Sequence, residues 1–252
     1  MPSHLREVTA GRYVTPFREG GSLPALVEAD DDALYVAKFR GAGQGSLALV
    51  AEVIAGELAR ELGLPMPELV VVGLDAGIGK GEPDPEIQEL LLNSVGANLG
   101  VAFLDGAETY SPDQGDPPSP ELAAEIVWFD GLVANVDRTP RNPNLLRSGG
   151  RLNLIDHGAA IYHQHGGLDP ERDATRPFPQ IAEHVLLPVA GPIAAAGERL
   201  RPRVTPELLA EVVGRVPTEW FADSPPEAYV EYLARRAEHP EIFTAEAERA
   251  HA

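Results

Sequence analysis

Ten residues near the middle of the chain, Ser111-Pro-Asp-Gln-Gly-Asp-Pro-Pro-Ser-Pro120, constrain the fold most. Proline and glycine at this density stop both helix and strand, so the segment must be a connection. The hydrophobic period changes across it. Before it, short apolar alternations such as Leu34-Tyr-Val36-Ala-Lys38 read as strands. After it, the pattern is mainly helical. The chain must therefore fold as a strand-rich first part and a helix-rich second part, bounded at residues 1–104 and 105–252. With 252 residues, of which 44% are apolar and 23% charged, it can bury a core of ordinary size.

Strands are expected at Arg12–Phe17, Leu23–Ala29, Leu34–Lys38, Glu68–Leu74, Ile87–Asn93 and Gly100–Leu104. One helix is expected in the first part, over Ser46–Leu62, with Gly63 as its stop. In the second part Ser119 can N-cap a helix running from Glu121 to Asn135, with Pro120 at its first position. Leu152–Ile155 reads as a short buried strand. Helical patterns follow over Gln180–Leu187, Val189–Arg199, Pro206–Val213 and Pro225–Arg236.

Directly after the helix ending near Asn135 comes Asp137-Arg138-Thr-Pro-Arg-Asn142-Pro-Asn144. Asp137 and Asn142 stand five apart in a loop. Asp156 then follows the apolar run Leu152–Ile155. Phosphoryl transfer needs such a set: one carboxylate to orient an acceptor hydroxyl, and hard oxygen ligands to hold Mg²⁺ against the phosphates of ATP. Asp137 is the candidate base, and Asn142 and Asp156 are the candidate metal ligands. Only two lysines stand among the twenty basic residues. Lys38, at a strand end, is the candidate clamp on the phosphates. A helix glutamate should hold its ammonium; Glu52 is preferred, with Glu57 as the alternative, since the two cannot face the same lysine. Gly20, Gly21 and Ser22, at the tip of the first hairpin, can bring backbone N–H groups to phosphate. Gly41, Gly43 and Gly45 offer the same from another loop.

Other features exclude more than they assign. The formal net charge of −19 disfavours nucleic acid and anionic lipid as partners. No apolar run is long enough to insert in a membrane, no signal segment stands at the N-terminus, and cysteine is absent, so a cytoplasmic location is expected. Arg199, Arg201 and Arg203 read as a solvated helix end. His157, His163 and His165 are expected to bind no metal. Asp130 reads as a helix polar group, and Trp128 and Phe129 as packing between the two parts.

At these residues the chain resembles the HipA-family kinases and, more distantly, the phosphatidylinositol 3/4-kinase group. Asp137 to Leu145 is similar to the D-R-H-x-x-N loop of the lipid kinases, with Thr139 in place of the histidine. Leu154-Ile-Asp156-His157-Gly158 is similar to their metal-binding segment. Tyr35-Val-Ala-Lys38-Phe, Glu52 and Leu58-Ala-Arg-Glu-Leu-Gly63-Leu-Pro65 resemble the lysine strand, glutamate helix and helix exit of HipA proteins. The resemblance spans about residues 10–165. It implies an α+β, bilobal protein-kinase-like fold: a β-rich N-lobe with one helix and a mainly helical C-lobe, together one kinase-like domain. It also implies ATP and Mg²⁺ as cofactors and a Ser/Thr or small-molecule hydroxyl as acceptor, with the adenine against the backbone of Ala102, Phe103 and Leu104. The chain is shorter than the toxin-type HipA proteins, so their toxin role and partners do not transfer. A nucleotide-binding regulatory module of the same fold, a small-molecule or lipid kinase, and a nucleotidyl transferase remain alternatives.

Overall fold

The computed structural model describes residues 4–17, 23–43, 45–114, 117–222 and 224–251. Five strands, β1 (Arg6–Pro16), β2 (Ala25–Ala29), β3 (Leu34–Lys38), β4 (Leu69–Leu74) and β5 (Gly96–Ala102), close into a barrel in the order β1-β2-β3-β5-β4. Closure depends on β1. Its first residues, Arg6 to Thr9, run parallel to Val70–Gly73 of β4, whereas Ala10 to Pro16 run antiparallel to β2. Two register shifts, between Ala10 and Arg12 and between Tyr13 and Thr15, separate these pairings. Such bulges bend a strand and increase its twist, so one strand can serve both sides of the seam.

Many of the residues buried in the barrel are small. Ala25, Ala37 and Val27 are fully buried there with Val70 and Val72. Gly100, in the middle of β5, pairs with Val70 on one side and Ala37 on the other. A Cβ at Gly100 would lie 2.4 Å from a methyl of Val72 and 2.8 Å from one of Val70.

The first part holds two helices, not one. α1 (Gly45–Leu62) stands where the sequence places it. The segment read as a strand over Ile87–Asn93 is α2 (Pro85–Asn93). The Asp84 side chain accepts from the Glu86 N–H, and Pro85 occupies the first turn. These helix-start signals outweigh an apolar run too short to separate helix from strand. Ile87, Leu90 and Leu91, at helical spacing, join the barrel core.

The second part is organised on α3 (Pro120–Val133), whose residues Ala123 to Val133 include no exposed position except a half-buried Glu125. Ser119 caps it as the sequence suggests, accepting from the Leu122 N–H at 3.2 Å. α5 (Ile193–Leu200), α7 (Pro226–Glu238) and α8 (Glu241–His251) pack around it; α4 (Pro170–Asp173) and α6 (Pro206–Val213) pack on α7. Between Phe178 and Ala190 the chain makes two 3₁₀ turns rather than the helix expected there. Trp128 meets Phe243 of α8 edge to face, with ring centroids 6.0 Å apart. The Trp128 ring thus packs inside the helical part rather than between the two parts, while Phe129 meets the His157 ring edge to face at 6.0 Å. A small sheet, β6 (Glu108–Thr109), β7 (Leu145–Ser148) and β8 (Arg151–Leu154), lies beside it. Among the described residues no helix is long and apolar enough to cross a membrane.

The barrel interior sets a sharp test of packing. We expect Gly100→Ala to destabilise the fold by about 1–3 kcal/mol, because one methyl overfills a closed interior. Urea unfolding measures it, and an unchanged midpoint would contradict this account of the barrel core.

Candidate active site

Lys38 ends β3 with its side chain on the outer face of the barrel, where α1 crosses. Alternation along β3 sends Tyr35 and Ala37 inward and Val36 and Lys38 outward. Lys38 Nζ contacts Glu52 Oε1 of α1 and lies 2.7 Å from Asp156 Oδ1, so it sits between two carboxylates. Glu52 is 1% exposed. Burial pulls the Lys38 ammonium pKa down, but the charges of Glu52 and Asp156 outweigh it and raise it overall. The same ammonium holds the Asp156 carboxyl well below the usual carboxylate range. Burial pushes the Glu52 carboxyl up, and the touching ammonium pulls against it. Glu57, the alternative partner, is engaged elsewhere: it pairs with Arg60 and Arg215.

The loop after α3 brings the remaining groups together. Asn142 Nδ2 donates to Asp137 Oδ2 at 2.7 Å. That bond orients the amide so that its oxygen is left for another partner. Thr139 and Asn142 exchange backbone bonds at 3.1 Å, which folds Pro140 and Arg141 into a tight turn and fixes the five-residue spacing. Asp156 is 51% exposed at its side chain, with one oxygen on Lys38. One neutral and one anionic hard oxygen suit a small divalent cation that takes its other oxygens from phosphate and water. Among the described residues no group of three His, Cys, Asp or Glu side chains could enclose a metal by itself.

The geometry of this loop rests on Arg138, whose side chain is fully buried. Its Nε donates to Asp130 Oδ2 at 2.5 Å, and its Nη1 reaches the carbonyls of Asn144 and, at 3.4 Å, Ile155. Its Nη2 lies 2.9 Å from His157 Nε2. Since guanidinium can only donate, Nε2 of His157 accepts and that imidazole is neutral. Burial, and then the Arg138 charge, push the His157 pKa down to about 3. Asp130 also accepts from Asn135 Nδ2 at 3.0 Å and from His184 Nε2 at 2.8 Å. Burial opposes its charge, but Arg138 and His184 hold its carboxyl far below the ordinary value. Two residues of this region carry left-handed backbone, Asn144 at φ 49° and Asp156 at φ 56°. Such conformations persist only where neighbours over-determine them. Here Arg138 holds the carbonyl of Asn144, the carbonyl before Asp156 and the ring after it.

Gly20, Gly21 and Ser22 lie outside the described residues. Ala102 ends β5, and its N–H and that of Phe103 are spent on the carbonyls of Glu68 and Leu34; Leu104 follows, half-buried. Gly41 is explained by packing, since a Cβ there would lie 2.8 Å from Ser94 Oγ. His163 stacks on Tyr162 with ring centroids 4.0 Å apart, away from the buried ring of His157. Asp130, read as a polar helix residue, is the buried anchor of the loop. Its position within the apolar run Ile126–Val133 was the available signal.

A lysine held by a helix glutamate, beside an Asp-x₄-Asn loop and a second aspartate, is an arrangement that several phosphotransferase families could share. The whole sequence decides between them, because residues 12–238 match the HipA-like kinases. The chain belongs to the HipA-like kinase family. It is therefore a kinase. Solved structures agree with this HipA-like kinase in fold, with mixed α and β content. The proinflammatory kinase CtkA of Helicobacter pylori matches with TM-score 0.60 and 13% identity, over 98% of both chains. The Golgi casein kinase matches with TM-score 0.52 and 14% identity, over 98% of this chain and 72% of its own. A structure of that kinase with Mn/ADP bound matches with TM-score 0.50 and 13% identity, over 95% and 72%. No protein in the curated sequence comparison matches this HipA-like kinase.

The buried histidines give the fold a pH dependence. His184 is buried and its pKa is pushed below the usual 6.5, chiefly by desolvation. Below about pH 6.5 the unfolded chain then binds a proton that the folded chain refuses, and stability falls by up to about 1.4 kcal/mol per pH unit per such group. We expect unfolding measured between pH 7 and 5 to show this loss, and His184→Gln to lessen it, with the His157 contribution remaining. An equal slope in the variant would contradict the assignment.

Proposed function

We propose that this kinase transfers the γ-phosphoryl group of ATP to a serine or threonine hydroxyl of a protein. The carrying observation is Lys38, held between Glu52 and Asp156, with the Asn144 amide joining the Asp156 carbonyl at 3.5 Å to the Asp137 carboxylate at 3.4 Å. A lone lysine at a strand end would point into water. One buried against a helix glutamate is a fixed positive charge aimed at a cleft, which is what spread phosphate charge requires.

In this reading the nucleotide lies between the barrel and the helical part, which act as two lobes. Lys38 draws the phosphates in, and Glu52 keeps its ammonium in place. Asn142 and Asp156 hold Mg²⁺, which neutralises developing charge on the phosphoryl oxygens when bound. Asp137 takes the proton of the acceptor hydroxyl as that oxygen bonds to the γ-phosphorus. The bond from the γ-phosphorus to the bridging oxygen breaks, and ADP leaves with its electron pair. Asn142, through its amide N–H, keeps the Asp137 carboxylate turned toward the acceptor. The adenine meets the backbone around Leu104, since the N–H groups of Ala102 and Phe103 are already used. A protein acceptor is supported by the likeness in fold to a kinase named for casein.

Incubation with γ-labelled ATP and Mg²⁺ tests the reading. We expect label on serine or threonine of the kinase itself or of an added protein. Asp137→Ala should lower transfer by about 10²- to 10⁴-fold while nucleotide still binds. Lys38→Ala should instead weaken nucleotide binding. ATP bound by the wild type without any transfer would point to a regulatory module, and full activity in Asp137→Ala would refute the assigned base.

A further inference from the structure

α1 carries Glu52 near its middle and is tied at both ends by residues from far along the chain. At the start, Gln164, which is 2% exposed, donates Nε2–H to the Leu47 carbonyl at 3.1 Å. Gln164 is itself fixed, because Tyr229 of α7 donates its hydroxyl to Oε1 at 3.0 Å. At the far end, Arg215 follows α6 and reaches back with both arms. Nη1 lies 2.6 Å from Glu57 Oε2, and Nη2 lies 2.7 Å from both Glu61 Oε1 and Glu211 Oε1. Arg203 adds a cation on the last carbonyls of the helix, 2.6 Å from that of Leu62 and in contact with that of Glu61. Arg203 is thus more than the solvated helix end it resembles in sequence.

These ties matter because Glu52 has little else to hold it. Its Oε1 touches Lys38, and its Oε2 is buried with no hydrogen-bond partner among the described residues. The position of the carboxylate is therefore set by the helix. A rotation of α1 by one residue, about 100°, would carry Glu52 off Lys38 altogether. Glu57 and Glu61, one turn apart, lie on one face and fix that rotation through Arg215. The Gln164 bond fixes the opposite end.

We propose that Gln164 and Arg215 are positioning residues for nucleotide binding: they hold α1 at its two ends so that Glu52 rests on Lys38 before the nucleotide arrives. The proposal rests on the reading of Lys38 as the phosphate-binding group. α1 then needs no inward movement to make the site competent, and weakening either tie lowers the competent fraction. An apparent dissociation constant rises in inverse proportion to that fraction, so a fall to about a tenth raises it about tenfold, while saturating nucleotide restores turnover.

Arg215→Lys keeps the charge but cannot fork to three carboxylates, and Gln164→Leu leaves the ion network intact. Mg-ATP affinity is measured by equilibrium binding well below the melting transition, alone and in a Glu52→Ala background. We expect each single variant to weaken binding several-fold, to raise KM more than it lowers kcat, and to have no further effect once Glu52 is gone. A folded variant with unchanged affinity, or losses that simply add to that of Glu52→Ala, would overturn the proposal, since a purely structural role is blind to Glu52. Lys38→Ala separates the two layers: unchanged Mg-ATP affinity there refutes the phosphate-binding reading itself, whereas weakened affinity there with unaltered Arg215→Lys refutes only the positioning role.

Discussion

The buried ion pair between Asp130 and Arg138 is the interaction on which the site depends. Neither side chain retains exposed surface. Two charges taken from water in this way are tolerated only when their remaining hydrogen-bonding capacity is filled. Here it is: Asn135 and His184 complete the carboxylate, and two carbonyls and His157 complete the guanidinium. α3 supplies the anion from a stretch of buried apolar residues, so its position is fixed by core packing. The loop that carries Asp137 and Asn142 and the segment that carries Asp156 are then both referenced to that one helix. The left-handed backbone at Asn144 and Asp156 follows from being held on this node.

The second constraint is the placement of charge. The chain is strongly acidic, yet Lys38 is a fixed ammonium between two carboxylates. Asp156 serves two neighbours in turn: one oxygen faces Lys38, and the half-exposed carboxylate is open to a cation. In the proposed reading Asp156 would serve both Lys38 and a metal ion, so phosphate binding and metal binding would be parts of one electrostatic arrangement. α1 joins this arrangement to the rest of the molecule, because its apolar surface belongs to the same continuous core as α3.

Much of the site was legible in sequence because its groups are local motifs. Asp137, Asn142 and Asp156 stand within twenty residues, and Lys38 ends a strand whose alternation is plain. Glu52 could be preferred over Glu57 by register, and the structure brings it to Lys38. What could not be read is long-range. Arg215 meets Glu57 across 158 positions, and His184 meets Asp130 across 54. No local pattern marks such pairs. α2 was misread because three consecutive leucines resemble a buried strand, although Asp84-Pro85-Glu86 announces a helix. α8 carries few apolar residues, only Phe243 and Ala247 being buried, so its pattern is weak. β1 begins six positions earlier than expected, at Arg6, because its first residues pair in parallel with a strand that comes much later.

In the proposed function Asp156 and Asn142 hold a divalent cation against phosphates bound by Lys38. The most direct measurement is calorimetric titration of ATP into wild type and Asp156→Asn, each with and without Mg²⁺. We expect Mg²⁺ to strengthen binding to the wild type severalfold and to do little for the variant. Equal strengthening in both proteins would place the metal elsewhere and contradict the account.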